Sequence, residues 1–202
     1  MIDREVLWLV IILLLTVTTV VIYFYYKNII GNLKLHNKQL KLLSQYDDLT
    51  QIYNRRHFLE IVQACFQGMD CDQKYSAIMM IDIDFFKEIN DSHGHILGDD
   101  VLQHVVQFVR GQLRESDIFA RYGGDEFIVF FPGIMQRDVS HIALRIQEQL
   151  AKCQTYAIPI TLSIGICSFC RYTSLYEMIE YADKALYVAK NNGRNRIEFH
   201  QS

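Results

Sequence analysis

Hydrophobic positions follow three different rhythms along this chain. The first is unbroken: Val6 to Tyr26, "VLWLVIILLLTVTTVVIYFYY", carries no charge, and threonine is its only polar residue type. A helix needs about 20 apolar residues to cross a hydrocarbon core of about 30 Å, so the run predicts a membrane-spanning helix within residues 1–27. Trp8 near one end and Tyr23, Tyr25 and Tyr26 at the other suit the two interfaces. A cleaved signal peptide is the competing reading. The run is too long for one, Arg4 is flanked by Asp3 and Glu5, and no A-x-A-like site follows, so a retained anchor is expected. Lys27, Lys34, Lys38 and Lys41 follow the span, which predicts that the C-terminal bulk faces the cytoplasm. With so few residues ahead of the span, no extracytoplasmic sensor domain is expected.

The second rhythm occupies residues 28–46. Ile29, Leu33, His36, Leu40 and Leu43 recur in a 4-3-4-3 pattern, the seam of a short parallel coiled coil with His36 as a polar interruption. Gly31 weakens its first turn. A lone amphipathic helix lying on a surface is the alternative. The third rhythm, from residue 47 to 202, alternates strand and helix patterns. "DLTQIYNRRHFLEIVQACF" predicts a turn entering a helix capped by Asp48 or Thr50, and "YSAIMMIDIDFF" a strand with Ile81 and Ile83 opposite Asp82 and Asp84. A glycine-bearing loop then separates two helices. "DIFARY" and "EFIVFFP" form a hairpin across Gly123-Gly124, a dipeptide that accepts positive φ. A helix over about 136–153, the strand "IPITLSIGICSF", the helix "SLYEMIEYADKALYVAKNN" and a last strand "RNRIEF" complete the chain. This order predicts an antiparallel sheet with helices on one or both faces.

Composition changes the picture little. Half of the 202 residues are hydrophobic, enough for a sizeable core, and the net charge of −3 argues against a nucleic-acid binder with a basic face. Five cysteines without compact disulfide spacing fit a reducing compartment. Cys167-x-x-Cys170 is a single pair, weak for zinc, and is read as two small residues near a strand end.

The chemistry is acidic. Asp82 and Asp84 share one strand face, and Asp125 and Glu126 sit on the shoulder of the glycine hairpin. If the two strands are neighbours, Asp82 and Asp125 converge. Carboxylates that close repel unless a hard cation such as Mg²⁺ or Mn²⁺ neutralises them, and Mg²⁺ on one or two carboxylates is completed by substrate phosphates. Taken singly, each motif reads equally well as a solvated strand end or a surface turn.

Together these stretches resemble a known family. "RYGGDEF" matches the signature of the GGDEF family, the diguanylate cyclases. "DDLTQIYNRR", "DIDFFKEINDSHGHILGDDVL", "TLSIGIC" and "ADKALYVAKNNGRNR" resemble its other motifs in the same order. The likeness covers about residues 47–200; Ile52 departs from the leucine usual there. It implies an α+β fold, the ferredoxin-like palm of nucleotidyl cyclases with the glycine hairpin at the active site. It further implies that two GTP are joined into cyclic di-GMP with release of two pyrophosphates, one GTP per domain across an antiparallel homodimer. By resemblance, Asp82, the carbonyl of Ile83 and Asp125 bind metal, Glu126 assists, and Asp125 is a proton acceptor. Lys87 is similar to the family's transition-state stabiliser. Asn90 and Asp99 read guanine with His95 lining the pocket, and Lys190 and Arg194 hold terminal phosphates. Gly123 and Gly124 admit the nucleotide to the backbone.

"RESD", Arg114 to Asp117, stands five residues before the hairpin's first glycine and resembles the family's product-inhibition motif, with Arg145 as an added contact from a neighbouring subunit. The resemblance implies bacterial second-messenger signalling, and the anchor, which lies outside the resemblance, then places the chain at the inner membrane as a single-pass protein. The stalk would then raise the effective concentration of paired domains. Two other readings stay open: a catalytically inactive receptor for GTP or cyclic di-GMP, and a mononucleotide cyclase on the same palm. Against the first, Asp82, Lys87, Asp125 and Glu126 all stand.

Overall fold

The protein is described by a computed structural model over residues 4–43, 45–68, 75–152, 158–169 and 174–200. It divides into two compact units, Met1–Ser44 and Gln45–Ser202. In the first, one continuous helix α1 (Arg4–Leu43) runs through Gly31 without a break. Ile12–Lys34 is long and apolar enough to cross a membrane by length and composition. The threonines there return their hydroxyls to the helix: Thr16 donates to the Leu13 carbonyl at 2.8 Å and Thr19 to that of Leu15 at 2.6 Å. Such internal bonds let a polar side chain sit in an apolar stretch. Of the expected seam, Ile29 is half-buried and Leu33 exposed; the side chains of His36, Leu40 and Leu43 lie outside the described residues.

The second unit is a six-stranded sheet in the order β1-β3-β4-β2-β5-β6. Its elements are β1 (Tyr53–Asn54), α2 (Arg55–Gly68), β2 (Ser76–Ile83), α3 (Phe86–His93), α4 (His95–Arg110), β3 (Ile118–Arg121), β4 (Glu126–Pro132), α5 (Gln136–Lys152), β5 (Leu162–Phe169), α6 (Leu175–Asn191) and β6 (Ile197–Phe199). Strand β2 is central, antiparallel to β4 and β5, and every residue in it is buried. A strand covered on both faces reads as a nearly continuous apolar run, as "SAIMMIDI" does. Met79, Ile81 and Ile83 join α4 and α5 in one core. Ile78 and Met80 join Phe58 of α2 and Met178, Ala182 and Leu186 of α6 in the other.

Three expectations need correction. The sheet is mixed: β6 pairs with β5 and β1 with β3 in parallel, because α6 returns the chain to the starting end before β6 forms, as any crossover does. A two-residue strand precedes α2, too short to leave a periodic signal. Neither Asp48 nor Thr50 caps α2; Asn54 accepts the His57 amide at 2.9 Å, while Thr50 is bonded to Asp47 through both amide and hydroxyl.

Helix α6 is fixed closely to the sheet. Ser174 and Glu177 form a reciprocal capping box at its start. Gly165 of β5 faces it so closely that a Cβ would collide with the Ala182 carbonyl and the Leu186 backbone. Gly165→Ala is therefore expected to cost about 1–3 kcal/mol by overpacking. A urea unfolding curve matching that of the unaltered chain would mean that α6 can move away from the sheet freely.

Candidate active site at the end of the central strand

The end of β2 gathers the charges. Asp82 is 6% exposed and lies directly across the ladder from Glu126, so both side chains share a sheet face. Asp125 precedes Glu126 at the hairpin shoulder, and its carbonyl accepts the Ile83 amide at 3.4 Å. From α6, Lys190 Nζ donates to Asp82 Oδ2 at 2.6 Å. Burial, with the negative charges of Asp125 and Glu126, pushes the Asp82 carboxyl up to about 6 against the pull of Lys190. The two strands thus bring together the acids that the sequence nominated.

Asp84, two residues on, has a different environment. It is 3% exposed. Its Oδ1 accepts from Ser163 Oγ at 2.6 Å, and its Oδ2 from Thr161 Oγ1 at 2.7 Å and from the Asn195 amide at 2.9 Å. Two left-handed stretches flank it: Phe85 (φ 58°), and Gly193, Arg194 and Asn195 (φ 109°, 60° and 45°). The Arg194 guanidinium lies over the Phe85 ring at 4.6 Å. Nothing in the sequence marked Phe85; Asn195 is of a type enriched at positive φ, but its position was not singled out.

The hairpin departs from its expected geometry. Neither Gly123 nor Gly124 has positive φ. The turn closes instead through the amides of Tyr122 and Gly123, both donating to the Glu126 carbonyl at 2.9 and 3.2 Å. A Cβ on Gly123 would stand 3.0 Å from Glu126 Oε2, and one on Gly124 would meet open space. That open backbone fits the expected approach of a nucleotide. Arg121 Nε and Nη2 donate to the Gly124 carbonyl at 3.0 and 2.6 Å, and its Nη1 to Asp47 at 3.0 Å. Burial opposes ionisation of Asp47, but the bonds from Thr50 and Arg121 hold its carboxyl below the usual range. Sequence reasoning missed both residues, which stand 74 positions apart.

The remaining nominees lie on α3 and α4. Lys87 is exposed in the first turn of α3, where its amine is free of ion pairs among the described residues. Asn90 lies later in that helix, and its carboxamide fills the space where a Cβ of Gly98 would be. His95 and Asp99 are both exposed at the start of α4, and their i,i+4 spacing sets them on one face. His95 thus opens a helix rather than standing in a loop.

"RESD" forms a closed turn. The Arg114 amide donates to Asp117 Oδ2 at 2.8 Å and the Asp117 amide to the Arg114 carbonyl at 3.1 Å. Burial pushes the Asp117 carboxyl up, opposed by that bond. Arg114 and Asp117 line a cavity of about 310 Å³ with Tyr46, Tyr53, Arg110 and Phe119. Arg145 Nη2 donates to the Gln112 carbonyl at 2.9 Å, anchoring it beside this turn within its own chain. Burial pushes the Cys167 thiol up to about 11, in keeping with an inert packing residue; Cys170 lies outside the described residues.

Among the described residues, no group of three or more His, Cys, Asp or Glu side chains is arranged to hold a metal ion. One or two carboxylates can still hold a hard cation whose shell phosphate oxygens and water complete, and the buried Asp82 carboxylate, with Asp125 on the adjoining hairpin shoulder, is of that chemistry. Without metal, the folded state keeps the Asp82 proton to higher pH than the unfolded chain. Its contribution to stability is therefore full below 3.8 and lost as pH rises through about 6. Urea midpoints measured in a chelator across that window should fall with pH, and Asp82→Asn should flatten the fall. An equal slope in the variant would assign the titration elsewhere.

Comparison with known proteins agrees with this geometry. The family described as diguanylate cyclase, GGDEF domain, matches residues 44–196. Diguanylate cyclase A of Treponema denticola is 36% identical over 185 residues, covering 85% of this chain and 50% of that protein. Diguanylate cyclase DosC of Escherichia coli K12 is 37% identical over 157 residues, 75% of this chain and 34% of that one. The chain thus spans half or less of the length of these relatives. Among solved structures, the GGDEF domain of DgcB from Caulobacter crescentus, in complex with c-di-GMP, superposes with a TM-score of 0.74 at 29% identity, covering 79% of this chain and 97% of that one. The active GGEEF domain of a diguanylate cyclase from Vibrio cholerae gives 0.71 at 30% identity, covering 75% and 99%. With the family model matching residues 44–196, the chain belongs to the GGDEF-domain, or diguanylate cyclase, family.

Proposed function

We propose that this protein is an active diguanylate cyclase, joining two GTP into cyclic di-GMP with release of two pyrophosphates. Each domain holds one GTP, and the bonds form when two domains meet antiparallel in a homodimer. The observation that carries the reading is the buried Asp82 at the end of β2, across the ladder from Glu126, bonded to Lys190 and next to the hairpin shoulder that carries Asp125. Asp82, the Ile83 carbonyl and Asp125 would hold the divalent ion, Mg²⁺ or Mn²⁺, with Glu126 assisting. When bound, that ion clamps phosphate oxygens and lowers the cost of deprotonating the attacking 3′-hydroxyl. The Asp125 carboxylate receives that proton. Lys87, exposed on the first turn of α3, would meet the transferring phosphoryl group.

Lys190 and Arg194 take the terminal phosphates, the first by exchanging its bond with Asp82 for one with phosphate. Asn90 and Asp99, with His95, supply the donors and acceptors that separate guanine from adenine. Open space at Gly124 leaves the backbone accessible to the nucleotide. The apolar helix around Ile12–Lys34 would hold the enzyme in the bacterial inner membrane, with lysines following it on the cytoplasmic side. The stalk beyond it would favour pairing of the domains. Domain limits of 1–27, 28–46 and 47–202 describe this division of labour.

Incubation of the full-length chain in detergent with GTP and Mg²⁺ should yield cyclic di-GMP by mass spectrometry. Asp125→Ala should lower the rate about a hundredfold or more. Saturable GTP binding without product would favour an inactive receptor.

Feedback inhibition belongs to the same reading. The cavity beside Arg114 and Asp117 would take cyclic di-GMP, with the Arg114 guanidinium forked onto a phosphate or guanine edge. Only the backbone of Arg114 closes its turn. Arg114→Ala should thus relieve product inhibition and leave initial rates intact; inhibition equal to that of the unaltered enzyme would remove this site.

A further inference from the structure

We propose that Asp84 is a positioning residue: its hydrogen bond to the Asn195 amide holds the left-handed loop that presents Arg194, and it ligates no metal. The inference rests on the cyclase reading for what Arg194 binds, and on geometry for the rest. Asp82 and Asp84 point to the same sheet face two residues apart, and composition alone would make them equivalent ligands. Their surroundings separate them. Asp82 faces Lys190 and two acids, a site that attracts a cation. Asp84 faces three donors, from Ser163, Thr161 and Asn195, which occupy three of its roughly four acceptor sites and, at 3% exposure, leave little room for a cation.

One of those donors, the Asn195 amide, belongs to the connection between α6 and β6. Gly193, Arg194 and Asn195 are left-handed in succession, and the Arg194 side chain disfavours it. Such a segment persists only where its surroundings over-determine it. Three bonds do so. The Arg194 amide donates to the Ala189 carbonyl at 3.0 Å, tying the loop back to α6. The Arg196 carbonyl accepts the Ile164 amide at 2.9 Å, tying it forward to β5. Between them, the Asn195 amide reaches Asp84 and ties the loop to β2, the strand that carries Asp82. Phe85, next to Asp84 and itself left-handed, receives the Arg194 guanidinium on its ring. The direction of Arg194 is thereby set from Asp84 on two sides.

The role asks for hydrogen-bond geometry rather than charge. In Asp84→Asn the carboxamide oxygen can accept from Thr161 and Asn195 while the NH₂ donates to the Ser163 hydroxyl, which accepts as readily as it donates. A metal ligand would not survive that exchange equally well. The test therefore compares Asp84→Asn, Asp84→Ala and Asp82→Asn in the full-length chain. It measures Mn²⁺ binding by electron paramagnetic resonance, kcat and KM for GTP, and amide hydrogen exchange at residues 193–196.

Asp84→Ala should raise the KM for GTP about tenfold, with a smaller effect on kcat, and Asp84→Asn should recover it to within about threefold. Both should bind Mn²⁺ within about threefold of the unaltered chain, whereas Asp82→Asn should bind it at least about tenfold more weakly. The Asn195 amide should lose protection in Asp84→Ala and keep it in Asp84→Asn. Loss of Mn²⁺ affinity in Asp84→Asn matching that of Asp82→Asn would overturn the inference, as would unchanged exchange in Asp84→Ala. If Asp84→Ala does not fold, the comparison of Asp84→Asn with Asp82→Asn still decides. Failure of the unaltered chain to bind or convert GTP would sink the cyclase reading instead, since the exchange measurement needs no nucleotide.

Discussion

A carboxylate at the end of a strand buried on both faces has few sources of neutralisation. Asp82 draws part of it from Lys190, which reaches back from the last turn of α6, and two neighbouring acids work against it. Buried ion pairs seldom gain enough attraction to repay desolvation of both partners, and removal of one partner leaves the other costly. The rest of the domain is arranged around that liability. Strand β2 must be central for its end to be dry, β4 must lie beside it to bring Glu126 opposite, and α6 must run close over Gly165 to bring Lys190 within reach. A site built on an unresolved balance of charge is one that substrate and cation can complete.

The glycine hairpin is held from outside as well as from within. Arg121 bridges the Gly124 carbonyl to Asp47, which in turn accepts from Thr50. The turn at the start of the domain and the loop beside the candidate metal site are therefore joined by a short chain of charged hydrogen bonds, stronger than neutral ones. Tyr46 stacks on Tyr53 one residue before Asp47, and both line the cavity that holds Arg114 and Asp117. The first residues of the domain thus touch both the glycine hairpin and the cavity beside Arg114 and Asp117.

Much of this could be read from the chain. The apolar run of β2, the 3.6-residue periodicity of α4, α5 and α6 and the hairpin of β3 and β4 are local signals, and each element formed near its expected limits. The acids, Lys87, Asn90, Asp99 and Lys190 were nominated through motifs. Four features escaped: the two-residue β1, the parallel edges of the sheet, the ordinary φ of Gly123 and Gly124, and the different partners of Asp82 and Asp84. The hairpin glycines are informative here, since their expected backbone freedom proved unnecessary while the open space at Gly124 remained meaningful.

By itself the sequence determined which segments become helix or strand, which residues carry charge into the domain, and that a long apolar helix precedes it. Those properties depend on side chains a few positions apart, so periodicity exposes them. The tertiary structure alone decided that Asp82 would face Lys190, 108 positions away, and that Asp84 would instead be consumed by Ser163, Thr161 and the Asn195 amide. Two aspartates on one strand face are chemically identical until the neighbouring strand and the returning loop supply different partners, and it is those partners, distant in the chain, that give each carboxylate its role.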